Sequence, residues 1–249
     1  MPALADIVRF LDSELRIAEI PDYSGAVNGL QLQNDGKVTR VASAVDASLP
    51  VIRKAIAAGA DMLVVHHGMF WQGAQPLTGA FYQKIHEAMN ANLAIYSAHL
   101  PLDVHPRWGN NALLAEAIGM TLTGTFLPYK GQPVGVTGEI DLSREELQQR
   151  LESAVGGRVL LCPAGPARLK RIGLCTGGAG SEVAAAAGLD AFISGEGPHW
   201  SYPLAEEMGL NLFLAGHYAT ETFGVRQLGE VLSTDFGIES IFLDHPTGL

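Results

Sequence analysis

The chain has 249 residues and a formal net charge of −10, with 47% hydrophobic and 17% charged residues. The apolar fraction excludes a disordered chain, and an acidic balance without a basic run argues against nucleic acid as a main partner. No stretch reaches the roughly 18 apolar residues of a membrane span, and acidic residues come early where a secretory signal has basic ones, so we expect a cytoplasmic protein without membrane contact.

Hydrophobic periodicity predicts helices and strands that alternate along most of the chain. The predicted helices cover residues 4–15, 49–59, 81–91, 111–119 and 143–157. The predicted strands are short apolar runs at residues 41–45, 61–65, 92–97, 134–140 and 158–163. Ser143 and Glu146 form a capping box at the start of the last of these helices. Strands that alternate with helices are typical of a parallel sheet.

An internal repeat is the most informative feature of the sequence. AAGADMLVVHHG, which ends at Gly68, aligns with AAGLDAFISGEG, which ends at Gly197, at an offset of 129 residues. LAIYSAHLPLD, which ends at Asp103, aligns with LFLAGHYATE, which ends at Glu221, at an offset of 118. The repeat predicts an α/β fold of two related halves, with mainly parallel or mixed sheets sandwiched by helices.

Segments rich in proline and glycine lie on either side of the middle stretch and are typical of loops or domain edges. We therefore expect one α/β domain to comprise residues 1–125 together with 205–249. The second α/β domain is expected over residues 126–204, with the two domains strongly interlocked.

Polar side chains follow four predicted strands of the repeat, where the carboxyl ends of parallel strands form a ligand site. These strand tips carry His66 with His67, His99 with Asp103, Ser194 to Glu196, and His217 with Glu221. His99 and Asp103 form HxxxD, and His217 and Glu221 form HxxxE. If a helix begins at the histidine, a spacing of four places the imidazole and the carboxylate on one face.

The adjacent histidines His66 and His67 favour two metal ions over one. Neighbouring side chains on an extended strand point to opposite sides, so one ion would serve both poorly. Two ions can each take one histidine, with Asp103 and Glu221 as bridges and His217 completing the ligand set. Nitrogen and oxygen ligands without thiolate suit Zn, Mn, Fe, Co or Ni. We predict two divalent ions per chain, at the strand ends between the halves, with open positions for water or substrate.

Other polar residues leave alternatives open. His99 is a further metal ligand, a residue that orients a ligand, or a proton shuttle in catalysis. Glu196 and His199 lie at the tip equivalent to the paired histidines, where they either line a substrate pocket or make structural hydrogen bonds. The TGGAG loop at residues 176–180 either cradles an anion or is a tight turn. Histidines without a pattern are expected at solvated surface positions, namely His86, His105 and His245.

The same motifs resemble a known family over nearly the whole chain, from VNGLQ at residues 27–31 onward. HHG after ADMLVV, HLPLD after AIYSA, TGGAG with LDAFISGE, and GHYATE before FGVRQLGEVL resemble the dinuclear metal-centre hexameric proteins, the GTP cyclohydrolase I type 2 homologues. The resemblance implies a two-metal site and a toroidal homohexamer whose sites face an internal cavity. The residues that the resemblance assigns to the metals are His66, His67, Asp103, His217 and Glu221. The low charged fraction independently favours an oligomer.

The chain departs from the family pattern at two places. Gly68 stands where the family usually has proline, and Leu100 with Pro101 stands where it commonly reads HTxxD. These positions shape the pocket wall, so the resemblance says less about the substrate than about the metals.

Two functions are consistent with these sequence features. The first is a metal-dependent hydrolase of a small molecule such as a nucleotide, with GTP ring opening or phosphoester hydrolysis as candidate reactions. The second is a non-catalytic hexameric scaffold, in which the metals hold the fold or a regulatory ligand and the ring binds protein partners. Turnover by the metal-loaded protein distinguishes them.

Overall fold

The computed structural model describes residues 2–249 and confirms a mixed α/β fold with two sheets. The strands are β1 (Gly29–Leu32), β2 (Arg40–Asp46), β3 (Met62–His67), β4 (Ala94–Ser97), β5 (Thr121–Tyr129), β6 (Gln132–Ser143), β7 (Leu160–Pro163), β8 (Arg168–Cys175), β9 (Ala191–Ser194), β10 (Asn211–Leu214) and β11 (Glu239–Phe242). The helices are α1 (Leu4–Glu14), α2 (Leu49–Ala57), α3 (Gly79–Asn90), α4 (Leu100–Asp103), α5 (Asn110–Ile118), α6 (Arg144–Val155), α7 (Ser201–Met208), α8 (His217–Thr220) and α9 (Thr222–Phe236), with a 3-10 helix at Ala179–Ala186. Each predicted helix and strand has a counterpart here. Strands β8, β9 and β10 lie in the second copy of the repeat, and β1, β5 and β11 lie where no strand was predicted.

The chain divides into two compact units. Unit 1 comprises the chain up to residue 102 with residues 224–245, and unit 2 comprises residues 103–223 with 246–249. The predicted boundary at residues 125 and 126 falls inside β5, and the one at 204 and 205 falls inside α7. The predicted division into two strongly interlocked domains therefore stays a prediction.

Unit 1 is built on a five-stranded sheet in the order β1-β4-β3-β2-β11, in which only the β1–β4 pair is antiparallel. Helices α2 and α3 cover one face, where Ile52 and Ala88 pack with Leu63 of β3. Helix α9 lies against the other face at Gly229, where an added Cβ would come 2.6 Å from Ser240 Oγ. Burial of both faces explains why residues 62–65 of the central strand β3 are all apolar.

Unit 2 contains a six-stranded sheet in the order β5-β6-β8-β9-β10-β7. Strands β8, β9 and β10 are parallel, and the other pairs are antiparallel. Helices α5 and α6 pack on one face with Ile193, and the 3-10 helix and α7 pack on the other with Phe192. These neighbours in β9 point to opposite faces because side chains alternate along a strand. The predicted capping box of Ser143 and Glu146 opens α6.

The two units repeat one arrangement, which confirms the two related halves predicted from the sequence. Each has three parallel strands linked by helices, β2-β3-β4 in unit 1 and β8-β9-β10 in unit 2, with an antiparallel strand beside the third. The first connecting helix differs: α2 is an α-helix capped by Ser48, whereas its counterpart is a 3-10 helix with non-helical angles at Glu182. Between residues 2 and 249, every helix is too short or too polar to cross a membrane.

Candidate metal centre

Three histidines of unit 1 come together at the carboxyl ends of β3 and β4. His66 and His67 are the last residues of β3, and His99 follows β4. Each of the three offers a ligand atom within 4.8 Å of the other two. The ring centroids of His66 and His67 lie 4.7 Å apart, so the expectation that they point to opposite sides is wrong. The pair by itself therefore gives no count of ions.

The rings of His66 and His67 converge because each is held by a different neighbour of β3. His66 Nδ1 donates to the carbonyl oxygen of Ala98, just beyond β4, at 2.9 Å. His67 Nδ1 donates to the carboxylate of Asp46, the last residue of β2, also at 2.9 Å. Since β2 and β4 flank β3, these two bonds orient the rings independently of the strand alternation.

The hydrogen-bond partners decide which ring nitrogen is available. His99 Nδ1 lies 2.9 and 3.1 Å from the two oxygens of Asp22, so all three histidines face an oxygen that can only accept. Each Nδ1 therefore carries the hydrogen, and the neutral ring keeps its lone pair on Nε2. Histidines that bind metals typically have this arrangement, in which one nitrogen donates to a carboxylate or carbonyl.

Asp22 is a buried carboxylate that the sequence analysis missed. Burial alone would raise its pKa, but the hydrogen bond and charge of His99, with bonds from Asn28 and the Tyr23 N–H, lower the pKa to about 2. Asp22 is therefore ionised at neutral pH and holds the His99 ring. No local pattern marks it, whereas Asp46 could have been found as a polar residue at the end of a predicted strand.

The VNGLQ motif holds the loops that carry these histidines. Asn28 Oδ1 accepts the His99 N–H at 2.7 Å, and Gln31 Oε1 accepts the Met69 N–H at 2.7 Å. A Cβ at Gly68 would overlap the Gln31 amide and lie 2.6 Å from Ser97 Oγ. Gly68, at which the chain departs from the family pattern, therefore leaves for the Gln31 side chain the room that a Cβ would occupy.

In unit 2, His217 and Glu221 form a second pair of candidate ligands. Helix α8 begins at His217 and Glu221 follows its last residue, and His217 Nε2 lies 3.2 Å from Glu221 Oε2, so the imidazole and the carboxylate lie together as the spacing of four predicts. His217 Nδ1 donates to Glu196 Oε1 at 2.8 Å, which repeats the arrangement of the unit 1 histidines. Glu196 thus orients His217 in the structure.

The two carboxylates determine the charge of His217 in the metal-free protein. Burial lowers its pKa, but the hydrogen bonds and charges of Glu221 and Glu196 outweigh burial and raise the pKa to about 9. The ring is therefore protonated at neutral pH without metal. A metal ion at Nε2 would have to displace that proton.

The TGGAG loop holds the tip of β9 and the end of α8. The Gly177 carbonyl oxygen accepts the N–H groups of Gly195 and Glu196, each at 2.9 Å, and the Gly177 N–H donates to Thr220 Oγ1 at 3.0 Å. Gly177 has a φ of +69°, and a Cβ there would overlap the Glu221 carboxylate. Because its N–H is already used and a 3-10 helix follows, the structure favours the tight turn over the anion cradle.

The remaining candidate, His199, has an exposed side chain between β9 and α7.

His105 is buried, so the expectation that it lies at a solvated surface position is wrong. The residue is only 8% exposed. Its Nδ1 accepts the N–H of Trp108 at 2.9 Å, and its ring stacks on Trp108 at 4.6 Å. This ring therefore has its lone pair on Nδ1, the reverse of the neutral rings of His66, His67 and His99. Burial, with a smaller effect of Arg107, lowers its pKa to about 4.

Comparison with known proteins gives matches over the whole chain. The model of the Duf34/NIF3 (NGG1p interacting factor 3) family matches residues 2–248. A Deinococcus radiodurans protein called GTP cyclohydrolase 1 type 2 homolog is 41% identical over 248 residues, which cover 98% of this chain and 94% of the relative. The Escherichia coli K12 protein of the same name is 36% identical over 97% of both chains.

Solved structures show the same fold. The protein ybgI, described as of unknown function, has a TM-score of 0.92 and 35% identity over 99% of this chain and 100% of its own. Reduced HcgD from Methanocaldococcus jannaschii has a TM-score of 0.84 and 28% identity over 98% of both chains. The likeness therefore spans both units of the chain.

Proposed function

The chain belongs to the Duf34/NIF3 family, and we propose that it is a dinuclear-metal-dependent hydrolase. The observation that carries the proposal is the shared arrangement of His66, His67, His99 and His217. Each donates from Nδ1 to an acceptor oxygen, which leaves Nε2 as the nitrogen that can bind a metal ion. Metal-ligating histidines need this arrangement because the second bond fixes the tautomer and the ring orientation.

The proposed ligands are imidazoles and carboxylates. His66, His67, Asp103, His217 and Glu221 are the set predicted from the sequence, and the ring orientation of His99 supports it as a sixth ligand. When bound, two such ions supply Lewis-acid chemistry that polarises an electrophile and makes water more acidic. The imidazole and carboxylate donors fit Zn, Fe, Mn, Co or Ni.

Aromatic side chains beside the unit 1 histidines support an organic substrate. The Trp71 ring meets the His99 ring edge-on at 4.9 Å, and the Tyr23 ring lies 5.7 Å from it. Tyr23 is 55% exposed, so its face can stack on a planar group. We infer a small molecule with a planar ring, such as a nucleotide, in keeping with the name of the curated relatives. Glu196 and His199 are the pocket residues predicted from the sequence; Glu196 orients His217, and His199 is exposed.

A homohexamer is the assembly that we infer. The charged fraction is low, and several large apolar side chains are exposed on the single chain, including Met89 at 62% and Trp200 at 50%. Contacts between copies would cover such side chains. A closed ring would follow the symmetry usual for soluble oligomers.

Native mass spectrometry of protein purified without chelator tests the metals and the assembly together. We expect two ions per chain and six chains per particle. Glu221→Ala should lose at least one ion per chain, whereas the matched variant His199→Ala should keep both. One ion per chain at saturation, or equal losses in the two variants, would contradict the ligand set, and a monomer would contradict the ring.

Turnover tests the enzymatic part of the proposal. The metal-loaded protein is assayed against nucleotides and generic phosphoesters, and the assay is repeated with Asp103→Ala. We expect turnover that Asp103→Ala abolishes. Absence of turnover with any of the five metals, in protein that binds two ions, would favour the non-catalytic scaffold.

Proton release on metal binding should report the state of His217. Because the pKa of His217 is about 9 without metal, its ring holds a proton at pH 7.5 that the ion must displace, and affinity should rise with pH up to about 9. Calorimetric titration with Zn²⁺ in two buffers of different ionisation enthalpy measures that proton. Glu196→Gln should release less, whereas the exposed Glu207→Gln should match the wild type. Identical proton counts in all three proteins would show that Glu196 does not set this pKa.

A further inference from the structure

A cavity in unit 2 lies apart from the candidate metal ligands. Its volume is about 830 Å³, which is within the range of small-molecule sites in proteins. Asp190, which lines the cavity, directly precedes β9, whereas Glu196, which orients His217, follows the same strand. The cavity therefore lies at the amino end of β9, and the residue that orients His217 lies beyond its carboxyl end.

Three cationic side chains line the cavity, those of Arg150, Lys170 and Arg171, and both arginines are held in place. Arg150 Nη1 donates to the carbonyl oxygen of Ile118, the last residue of α5, at 2.9 Å. Arg171 Nη2 donates to the carbonyl oxygen of Gly188. Each guanidinium group has further N–H donors, because arginine carries five. A group that is already held loses less conformational entropy when it binds an anion.

Two of the acidic residues in the lining, Asp141 and Asp190, have partners of their own. Asp190 Oδ2 accepts the main-chain N–H groups of Lys170 at 2.8 Å and of Arg171 at 2.9 Å. Asp141 Oδ1 accepts a hydrogen bond from Arg168 Nε at 2.7 Å. Both carboxylates thus accept hydrogen bonds from groups other than the three cationic side chains of the lining.

Glu139 is the third acidic residue of the lining and is exposed. It lies opposite Arg171 in the β6–β8 pair and opposite Thr121 in the β5–β6 pair, and all three residues line the cavity. Residues that lie opposite each other in antiparallel strands place their side chains on the same face. Because a carboxylate accepts hydrogen bonds, Glu139 suits a hydroxyl or amino group of a ligand whose anionic group contacts the cationic side chains.

We propose that this cavity binds a small organic anion, in addition to any substrate of the metal centre. The ligand carries phosphate or carboxylate groups, which guanidinium and ammonium groups bind through charge-assisted hydrogen bonds. It also carries a hydroxyl or amino group for Glu139. The chain has a net charge of −10, so a cavity lined by Arg150, Lys170 and Arg171 differs from the acidic balance of the whole protein.

Two probes test the cavity in the metal-loaded protein, ribose 5-phosphate and citrate. Soaked crystals show where each probe lies, and calorimetric titration gives its dissociation constant. We expect at least one probe at the cationic side chains. Lys170→Met and Arg171→Met should each weaken its binding about tenfold, since each removes a charge-assisted hydrogen bond. Lys37→Met replaces an exposed lysine of unit 1 and is the control that should bind like the wild type.

The arms of the experiment identify the ligand class or overturn the site. Tighter binding of ribose 5-phosphate supports a phosphate ester, and tighter binding of citrate supports a polycarboxylate. Ribose without its phosphate should bind far more weakly, and equal binding would overturn the anion site. Equal affinities in Lys170→Met, Lys37→Met and the wild type would overturn it as well, because the probe would then bind elsewhere. So would absence of binding by both probes at millimolar concentration, whereas the two-metal proposal would stand in each case.

Discussion

Gly177→Ala is expected to weaken metal binding at least tenfold, whereas Gly188→Ala should leave it unchanged. Both glycines have positive φ, +69° and +82°, so both substitutions carry the same backbone cost of roughly 1–2 kcal/mol. Only at Gly177 would the new Cβ overlap the Glu221 carboxylate and lie 3.4 Å from His217 Nε2, since nothing lies within 4 Å of a Cβ at Gly188. The difference between the variants therefore isolates the effect on the two candidate ligands.

Chelator competition gives the metal affinity of each glycine variant, and chemical denaturation gives its free energy of unfolding. We expect both metal-free variants to lose unfolding free energy through the backbone cost that they share. Gly177→Ala should lose somewhat more, because its Cβ also overlaps the Glu221 carboxylate. Equal metal affinities in Gly177→Ala and Gly188→Ala would show that the turn does not support the ligand pair.

Asp22→Asn is the second substitution with a large expected effect. Donors surround both oxygens of Asp22: the N–H of Tyr23 at 2.7 Å and His99 Nδ1 at 2.9 Å on Oδ1, and Asn28 Nδ2 at 2.8 Å and the N–H of Leu100 at 3.2 Å on Oδ2. An asparagine accepts on one side only, so its NH₂ group would face donors. We expect a loss of about 1–3 kcal/mol in unfolding free energy and a 10- to 100-fold loss of metal affinity.

Asp46→Asn provides the matched comparison for Asp22→Asn. The Asp46 side chain is 33% exposed, and an asparagine can still accept from His67 Nδ1 while its NH₂ group meets water. We therefore expect a smaller loss of stability and of metal affinity than for Asp22→Asn. Nitrogen-15 NMR of the metal-free imidazoles would show the expected cause, a change of the His99 tautomer in Asp22→Asn. An unchanged His99 tautomer would show that loss of metal affinity in Asp22→Asn has another cause.

The role of His99 follows from the same geometry. Sequence reasoning left it as a ligand, an orienting residue or a proton shuttle, because a histidine four residues before an aspartate fits all three. The structure favours the ligand, since Asp22 occupies Nδ1 and His99 offers a ligand atom within 4.8 Å of those of His66 and His67. Metal loss in His99→Gln, with His86→Gln as control, would distinguish it from a shuttle that leaves the metal bound.

The sequence by itself determined the two-half α/β fold and the strand tips that carry polar residues. Both follow from local signals, the apolar period of each element and a repeat at two offsets, which need no knowledge of contacts across the chain. The same local reasoning failed at His66 and His67, because strand alternation was expected to direct side chains that are in fact directed by hydrogen bonds. It failed also for His105, whose burial has no periodic signature.

Only the tertiary structure decided which nitrogen each histidine presents and which residues hold the ligands. The partners lie far away in the sequence: Asp22 is 77 residues from His99, and Asp46 is 21 residues from His67. A single hydrogen bond between such residues leaves no trace in hydrophobic periodicity, since it depends on where loops end after the sheet has formed. The residue types at the site are therefore legible in the sequence, whereas their tautomers and orientations are properties of the folded chain.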